Sequence, residues 1–273
     1  TRYVYKTYHE KRLAFQQLFK SFSPNLLPEE LHKGGVLAYF EKQARVRSSN
    51  AANKDRKNLL AAWNWAAQYI PDWPQSCPFQ VHKLPEQRFP RYVPPEEDFW
   101  KVFSVAESEQ DRLMLLCYLH LAARRNEVFQ LRKEDVDMHR KKVRLHTRKT
   151  KGGSMRSDWL PMTERLHAAF QKHLPSLPGI WCFPDPQTGL PYIARQQWLG
   201  RLCEAANVPK FGLHAIRHLS ASILVDSRVP LPEVQAVLRH SNLTTTQRYV
   251  HRMNTGSCLS SVFDRVQERK VFS

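Results

Sequence analysis

The stretch from His214 to His251 reads HAIRHLSASILVDSRVPLPEVQAVLRHSNLTTTQRYVH, and it holds most of the reactive groups of the chain. His214 and Arg217 stand three residues apart, so on a helix both side chains project from one face. His240 follows in the segment LRHSN, and Tyr249 comes nine residues after it. The spacing predicts that one helix presents His214 and Arg217 together, and that a following segment supplies His240 and Tyr249.

A second arginine motif lies far upstream, in LAARRNEV at residues 121–128. Arg124 precedes Glu127 by three residues, so on a helix the carboxylate would lie beside the guanidinium and orient it. Arginine suits phosphate because its planar fork contacts two oxygens and stays charged. An RxxE pair alone is typical of a surface ion pair. The LRKEDVD that follows and the motif downstream favour a phosphate site instead, with adjacent Arg125 as the weaker candidate.

Together these motifs strongly resemble the tyrosine recombinase (phage integrase) family. ARRNEV is similar to its first arginine box, and HAIRH, with Ala221 three residues further on, to its HxLRH box. LRHSN, nine residues before the tyrosine, is similar to its LGHS segment. Two positions depart from the family pattern: Ala122 stands where Gly is frequent, and Arg239 replaces the Gly of LGHS. Both departures indicate a change in local backbone and leave the chemical groups intact.

The resemblance implies a role for each group. Arg124 and Arg217 would hold the nonbridging phosphate oxygens, on which negative charge grows during cleavage. His214 would accept a proton or contact the phosphate, and His240 would contact the phosphate. Tyr249 would attack phosphorus to give a covalent 3′-phosphotyrosine and a free 5′-hydroxyl, which conserves bond energy for rejoining. The alternative interpretations are a helix-capping histidine and a buried structural tyrosine.

A β-hairpin is predicted between the two arginine boxes. In residues 143–148, apolar or β-branched side chains alternate with basic ones, as in a half-buried strand. Gly152-Gly153 indicates a turn, and Met155 to Pro161 predicts the returning strand.

In the family, the tip of this hairpin carries a lysine that protonates the leaving 5′-oxygen from the DNA minor groove. The frequent family form has an arginine five residues after the lysine, which selects Lys151 with Arg156. Lys149 is the alternative. Either lysine could instead contact a phosphate, as could Arg148.

The composition points to a polyanionic partner, which we expect to be double-stranded DNA. The 273 residues carry a formal charge of +17, and Lys and Arg outnumber Asp and Glu on both sides of residue 95. No apolar run approaches the roughly 20 residues that a membrane-spanning helix needs. We therefore expect neither a membrane partner nor a signal peptide.

Chain length and proline content predict two domains. Seven of the 18 prolines fall between Pro71 and Pro95, a density that neither a helix nor a central strand tolerates. We expect residues 76–95 to form an extended linker between a helical domain at 1–75 and a catalytic domain at 96–273. The predicted fold class is mainly α with a small antiparallel β-sheet. By resemblance, the first domain is a helical (SAM-like) core DNA-binding domain and the second a mixed α/β tyrosine recombinase catalytic domain.

The first domain has helical periodicity, clearest from Lys54 to Ile70 and visible at Tyr3 to Phe22 and Leu31 to Ala44. Cations and small polar residues cluster around the start of the Lys54 helix. Such a cluster favours phosphate binding, although a solvated basic face has the same composition. The candidate DNA contacts of this domain are Arg45, Arg47, Lys54, Arg56 and Lys57.

Cysteine and histidine patterns argue against disulfides and metals. The five cysteines are scattered without a CxxC pair, so we expect a reducing compartment and no zinc knuckle. Cys117 and Cys203 fall in apolar helical patterns and are expected in the core. His214 and His218 have the i,i+4 spacing of zinc ligands, but no acid stands between them. We therefore predict no metal and no cofactor.

The interpretation that joins these observations is a site-specific DNA recombinase, an integrase of a mobile element acting in the bacterial cytoplasm. By resemblance, a terminal helix at 257–270 docks in the same chain or on a neighbouring protomer of a homotetramer on DNA. Accessory DNA-bending or directionality factors would be further partners. Two alternatives stay open: a type IB topoisomerase with the same groups, and a DNA-binding module that has lost catalysis.

Overall fold

The structure, a computed structural model, describes residues 5–86, 92–148, 155–240, 242 and 246–247. The chain divides into two units between Pro90 and Arg91. Helices dominate both units, and a three-stranded antiparallel sheet lies in the second. The predicted fold class, mainly α with a small antiparallel sheet, is confirmed. Among the residues described, no helix is long and apolar enough to cross a membrane.

The first unit is built from helices whose apolar faces share one core. Val36, Phe40 and Leu59 are fully buried there, as the helical spacing of apolar residues predicts. The third helix packs against both of the others. The helices are α1 (Tyr5–Leu18), α2 (Lys33–Val46) and α3 (Ser49–Tyr69), with a 3-10 turn at Pro28–Glu30.

Helix α3 begins earlier than the periodicity predicts. It starts at Ser49, whereas the apolar pattern becomes clear only from Lys54. The reason is a cap: the Ser48 hydroxyl accepts a hydrogen bond from the Ala51 N–H at 3.2 Å. The polar first turn of α3 is therefore helical although it carries little of the apolar pattern.

The proline-rich segment after α3 is extended, but its first half packs on the helices of the first unit. Cys77, Phe79 and Leu84 are buried in the helical core. The amide of Asn53 on α3 bonds both the carbonyl oxygen and the N–H of Leu84, at 2.9 and 3.0 Å. Proline prevents regular structure here, whereas the apolar residues between the prolines still gain from burial. Residues 76–86 therefore belong with the first unit, unlike the linker predicted from residue 76.

In the second unit, helices precede and follow the sheet along the chain. The helices before the sheet are α4 (Glu96–Val105), α5 (Glu109–His120) and α6 (Arg125–Phe129). The strands are β1 (Val136–Asp137), β2 (Lys142–Arg148) and β3 (Met155–Pro161). After the sheet come α7 (Glu164–His173), α8 (Trp198–Ala205), α9 (Leu213–Asp226) and α10 (Leu231–Leu238).

Strand β2 is the middle strand of the sheet. Its Val143 faces Val136 on β1 and Leu160 on β3. Val143 and Leu145 are fully buried while Arg144 stays partly exposed, so the alternation in the sequence is that of a strand with one buried face. The predicted hairpin strands are confirmed, including the bounds of β3 at Met155 and Pro161.

Helix α5 lies at the centre of the second unit and is buried along the whole of residues 113–119. It packs against α7 and α9, and Cys117 and Cys203 lie in this core as predicted. Leu238 on α10 packs with Val225 on α9 and with Ala122, just beyond α5. The end of α5 is therefore held from two sides, which places the residues that follow it.

Candidate functional site

A buried turn at the end of α5 places the first arginine. Ala122 has a positive φ of 44°, a backbone region that glycine adopts without strain and alanine does not. The turn directs the Ala122 carbonyl oxygen toward Arg217, whose Nη1 donates a hydrogen bond to it. Alanine thus keeps the left-handed turn for which glycine is suited.

Arg124 precedes α6 instead of lying on it. Its backbone is extended, with φ −84° and ψ 155°, and it forms the N-cap of the helix. Glu127, in the first turn of α6, accepts from the Arg124 N–H at 2.7 Å and from Arg124 Nη1 at 2.8 Å. The expectation that both residues share a helical face is wrong. The ion pair forms because a glutamate three residues into the helix reaches back to the capping residue.

The Arg124 guanidinium is held by internal hydrogen bonds through both of its terminal nitrogens. Its Nη2 donates to the carbonyl oxygen of Arg239 at 3.3 Å, and Nη1 bonds Glu127. The Arg124 side chain nevertheless remains 35% exposed. Such a guanidinium can accept an anion from solvent without losing its internal partners.

Glu127 is the buried acid of the site, 3% exposed. It accepts from the Thr147 hydroxyl on β2 at 2.5 Å and from Arg239 Nη2 at 2.8 Å. Burial alone raises the pKa of Glu127, but the charge of Arg239 and the hydrogen bonds from Arg124 and Thr147 outweigh it, so the pKa lies below its ordinary value. An ionised Glu127 therefore joins two arginines to the hairpin.

Arg217 on α9 is the largest fully buried side chain among the residues described. Its Nη1 donates to the carbonyl oxygen of Ala122 and its Nη2 to that of Leu238. The first oxygen belongs to the turn before Arg124, and the second to the end of α10 before His240. Because burying a guanidinium is unfavourable unless its donors are satisfied, these contacts fix both segments around it.

His214 is exposed in the first turn of α9, one helical turn from Arg217. Its ring packs edge-on against that of His218, with the centroids 4.5 Å apart. The i,i+4 pair that suggested zinc is therefore close together. Within the described ranges, however, no group of three or more His, Cys, Asp or Glu side chains could hold a metal ion.

Arg239 ends α10 in the left-handed region, with φ 51° and ψ 43°. Its side chain turns inward and is 1% exposed. Nη1 donates to the carbonyl oxygen of Leu121 at 3.1 Å, and Nη2 bonds Glu127 and lies 3.3 Å from the carbonyl oxygen of Ala122. Sequence reasoning noted Arg239 as a replaced glycine but missed this ion pair. The available signal was an arginine directly after the apolar end of α10.

His240 lies next to these cations and is held in a neutral form. Burial, followed by the charges of Arg217, Arg124 and Arg239, lowers the pKa of His240 to about 4. Its Nδ1 lies 2.9 Å from the hydroxyl of Thr246, which is fully buried. Since Thr246 stands three residues before the candidate tyrosine, this bond ties His240 to the segment that leads to it.

Several predicted site residues lie outside the described residues: Lys149, Lys151, Tyr249 and the helix expected at 257–270. Arg148 ends β2, but its side chain is likewise outside the described part. Within that part, the structure brings Arg124, Arg217 and His240 together and places His214 on the same helix as Arg217.

Two predicted DNA contacts of the first unit already have acidic partners. Arg47 Nη1 pairs with Asp55 at 2.6 Å, and the carboxylate is largely buried. Lys54 pairs with Glu10 on α1 at 3.1 Å. Part of the basic cluster in the sequence therefore stabilises the packing of α1 and α2 against α3.

The other three predicted DNA contacts of the first unit fall into two groups. Arg56 donates to the carbonyl oxygen of Val81 at 2.9 Å and so holds the proline-rich segment. Arg45 and Lys57 are exposed, and no ion pair joins them to any residue that the structure describes. Arg45 and Lys57 therefore differ from Arg47, Lys54 and Arg56, each of which has an internal partner.

A model of the phage integrase family matches residues 97–255. The chain is 25% identical over 191 residues to the tyrosine recombinase XerC of Staphylococcus saprophyticus, a match that covers 64% of this chain and 61% of that protein. It is 47% identical over 51 residues to the tyrosine recombinase XerC of Bifidobacterium longum, covering 19% of this chain and 14% of that protein. The matches thus span less than two thirds of the length of either relative.

Solved integrase structures have the same fold. The Tn1549 transposon integrase in complex with transposon right end DNA superposes with a TM-score of 0.76 at 17% identity, covering 97% of this chain and 95% of that one. A lambda integrase dimer bound to a COC′ core site gives a TM-score of 0.74 at 15% identity, covering 91% and 89%. At these identities the likeness is one of fold.

Proposed function

The chain belongs to the phage integrase family, and from this we propose that it is a site-specific DNA recombinase that cleaves and rejoins strands through Tyr249. One observation supports the proposal most: Arg124, Arg217 and a neutral His240 converge from three separate segments. Each segment is fixed by buried hydrogen bonds. A phosphate-binding site of this kind has its charge in place before the substrate arrives.

Arg124 and His240 would hold the reacting phosphate. Cleavage adds negative charge to the nonbridging oxygens, and the partly exposed Arg124 would face them. Arg217 adds a second fixed positive charge from the buried side. Since Nδ1 of His240 faces the Thr246 hydroxyl, Nε2 is the nitrogen that would donate to a phosphate oxygen. The low pKa of His240 makes it a neutral donor, so its role is hydrogen bonding rather than charge.

Tyr249 would supply the nucleophile. A phenol with an ordinary pKa of about 10 must lose its proton to react, and His214 would accept it. The phenolic oxygen bonds to phosphorus, the bond from phosphorus to the 5′-oxygen breaks, and Lys151 (or Lys149) protonates that oxygen. The products are a 3′-phosphotyrosine and a 5′-hydroxyl, and attack by another 5′-hydroxyl reverses the step without ATP.

Duplex DNA is the proposed substrate. Arg148 and Lys149 would contact the backbone beside the hairpin, and Arg45 and Lys57 would add contacts from the first unit. Arg47, Lys54 and Arg56, the remaining candidates of that unit, would contact phosphates only by exchanging the internal partners described above.

The proposed assembly is a homotetramer on DNA. A lambda integrase tetramer has been solved bound to a Holliday junction, and by analogy residues 257–270 would join protomers of this chain. Accessory DNA-bending or directionality factors would set the direction of the reaction. Because the proposed substrate is the DNA of a bacterial host or its mobile element, the proposed place of action is the cytoplasm.

Covalent capture tests this function. The protein is incubated in EDTA with host and element DNA and then denatured, and the DNA that stays attached is sequenced. We expect adducts at one short inverted repeat. Tyr249→Phe should bind duplex DNA as the wild type does but form no adduct, whereas the control Tyr92→Phe should form it normally.

Three results would contradict the proposal. Adducts that persist in Tyr249→Phe would remove that residue as the nucleophile. Adducts scattered without sequence preference would favour topoisomerase-like relaxation. A wild type that binds DNA but forms no adduct would favour an inert DNA-binding module.

A further inference from the structure

Two arginines share one buried carboxylate at the candidate site. Glu127 accepts from Arg124 Nη1 at 2.8 Å and from Arg239 Nη2 at 2.8 Å, and Arg239 lies 112 positions further along the chain. The side chains of Arg239 and Glu127 are 1% and 3% exposed, and that of Arg124 is 35% exposed. The pair that is sealed from solvent is therefore the one between Arg239 and Glu127.

This arrangement determines how much net positive charge a phosphate group would meet at Arg124. A carboxylate bonded to a single guanidinium cancels most of its field, because the two charges are equal and close. A second arginine changes the balance: the three groups Arg124, Glu127 and Arg239 together carry one net positive charge. Since the Arg239–Glu127 pair is buried, solvent ions screen it little, and the uncompensated charge belongs to the exposed guanidinium.

We propose that Arg239 is a positioning residue that neutralises Glu127 and so leaves the charge of Arg124 available to a bound phosphate group. Glycine, which the family pattern has at this place, has no side chain with which to do so. The inference rests on the proposed function for the identity of that phosphate, a DNA phosphodiester. Binding of a phosphate anion by itself does not depend on that function.

Arg239 also has structural contacts that the test must separate from its charge. It donates to the carbonyl oxygens of Leu121 and Val237, at 3.1 and 2.8 Å. Its positive φ of 51° is a strained backbone for arginine and an easy one for glycine. A purely structural role would lie in these backbone contacts, and it would not depend on whether residue 127 is charged.

The experiment compares the wild type with Arg239→Met, Glu127→Gln and the double variant. Each folded protein is titrated with inorganic phosphate at constant ionic strength, and the rise in melting temperature gives its affinity. Arg239→Met leaves Arg124 and Glu127 as a pair without net charge, so we expect the phosphate affinity of this variant to fall roughly tenfold. The double variant restores the single net charge and should return to within about threefold of the wild type. Glu127→Gln alone should bind phosphate at least as tightly as the wild type.

A second arginine–carboxylate pair, only partly buried, provides the control. Arg195 bonds Asp111 at 2.5 Å in the same unit, and their side chains are 17% and 16% exposed. Arg195→Met and its double variant with Asp111→Asn should leave phosphate affinity unchanged. If Arg239→Met does not fold, Arg239→Gly, which suits the positive φ, replaces it in the same scheme.

The outcomes separate this inference from the proposed function. A double variant as weak as Arg239→Met, or a Glu127→Gln variant weaker than the wild type, overturns the inference. The expected order of phosphate affinities without any covalent DNA adduct in the wild type supports the inference and overturns the recombinase proposal. Where adducts form, their rates should follow the same order as the affinities.

Discussion

The hydroxyl of Thr147 lies 2.5 Å from Glu127 Oε1, the carboxylate oxygen that also accepts from Arg124 Nη1. Thr147 is the penultimate residue of β2, directly before the segment that carries Lys149 and Lys151. Thr147 therefore connects the lysine-bearing hairpin with the arginine that is proposed to hold the phosphate, through Glu127 and through its own hydroxyl, which accepts from Arg124 Nη1 at 3.4 Å. It lets the position of the hairpin and the orientation of Arg124 depend on each other.

Thr147→Val tests this connection, because valine keeps the shape of the side chain and loses the hydroxyl. A hydrogen bond to a charged group contributes about 1.5–3 kcal/mol. We therefore expect covalent adduct formation to slow by roughly tenfold if that bond orients Arg124. Thr147→Ser retains the hydroxyl and should stay near the wild-type rate. Equal rates for the valine variant and the wild type would show that the hydrogen bond does not orient Arg124.

His240 should make stability depend on pH. Burial and the charges of Arg217, Arg124 and Arg239 lower its pKa to about 4, whereas the unfolded chain has an ordinary value near 6.5. Between these values the unfolded state binds a proton that the folded state does not. The neutral imidazole therefore makes its full contribution to the free energy of unfolding above about pH 6.5. This contribution is lost as pH falls toward about 4, by at most about 1.4 kcal/mol per pH unit.

The measurement is urea unfolding at about pH 5 and about pH 7.5. From about pH 7.5 to about pH 5, the free energy of unfolding should fall less in His240→Asn than in the wild type. Replacement of the exposed His139 by Asn serves as the control and should reproduce the wild-type difference. An unchanged difference in His240→Asn would mean that this imidazole is not held neutral.

Lys151→Ala should slow cleavage of ordinary DNA by about 10²–10⁴-fold, the usual contribution of a general acid. A substrate with a 5′-bridging phosphorothiolate should restore the rate, because its leaving group needs no proton. Lys149→Ala is the matched control and should gain nothing from the sulfur substrate. The opposite pattern would assign the acid to Lys149.

Metal removal should leave the reaction unchanged, because arginines supply the positive charge that a metal would otherwise provide. We expect equal adduct formation in EDTA and in magnesium or zinc buffers. If activity were lost in EDTA and restored by zinc, the neighbouring rings of His214 and His218 would be the first ligands to replace.

Asn53→Ala should loosen the proline-rich segment from the first unit. Its amide bonds both backbone groups of Leu84, and leaving such buried groups unpaired costs roughly 2–3 kcal/mol. Urea unfolding should show this loss, and limited proteolysis should cut more readily within residues 76–86. Asn64→Ala, at an exposed position of the same helix, should change neither. Unchanged proteolysis in Asn53→Ala would show that other contacts hold the segment.

Elements with one buried face could be predicted from the sequence. The alternation at residues 143–148 located β2, because only one side of that strand is buried, and it located β3 by pairing. The proline-rich segment was harder, since proline excludes helix and sheet but does not indicate whether the residues between are buried. Phe79 and Leu84 show that they can be.

Motifs identified the reactive groups of the site, but not what holds them. Arg124 was expected on a helix and instead precedes one as its N-cap residue, and Glu127 in the first turn of α6 reaches back to orient it. Arg239 was visible as a replaced glycine, and its bond to Glu127 spans a separation of 112 residues. Local patterns carry no information about a contact of that range, which depends on the packing of α10 against α9 and the end of α5.

Arg47 and its buried neighbour Asp55 already form a neutral pair in the free protein. When a protein binds DNA, condensed counterions are released in proportion to the number of unpaired protein cations that replace them. If Arg47 turned to a phosphate, Asp55 would draw a cation from solution, and the net exchange of ions at that position would be close to nil. The slope of DNA affinity against salt concentration should therefore correspond to fewer phosphate contacts than the number of lysines and arginines at the interface.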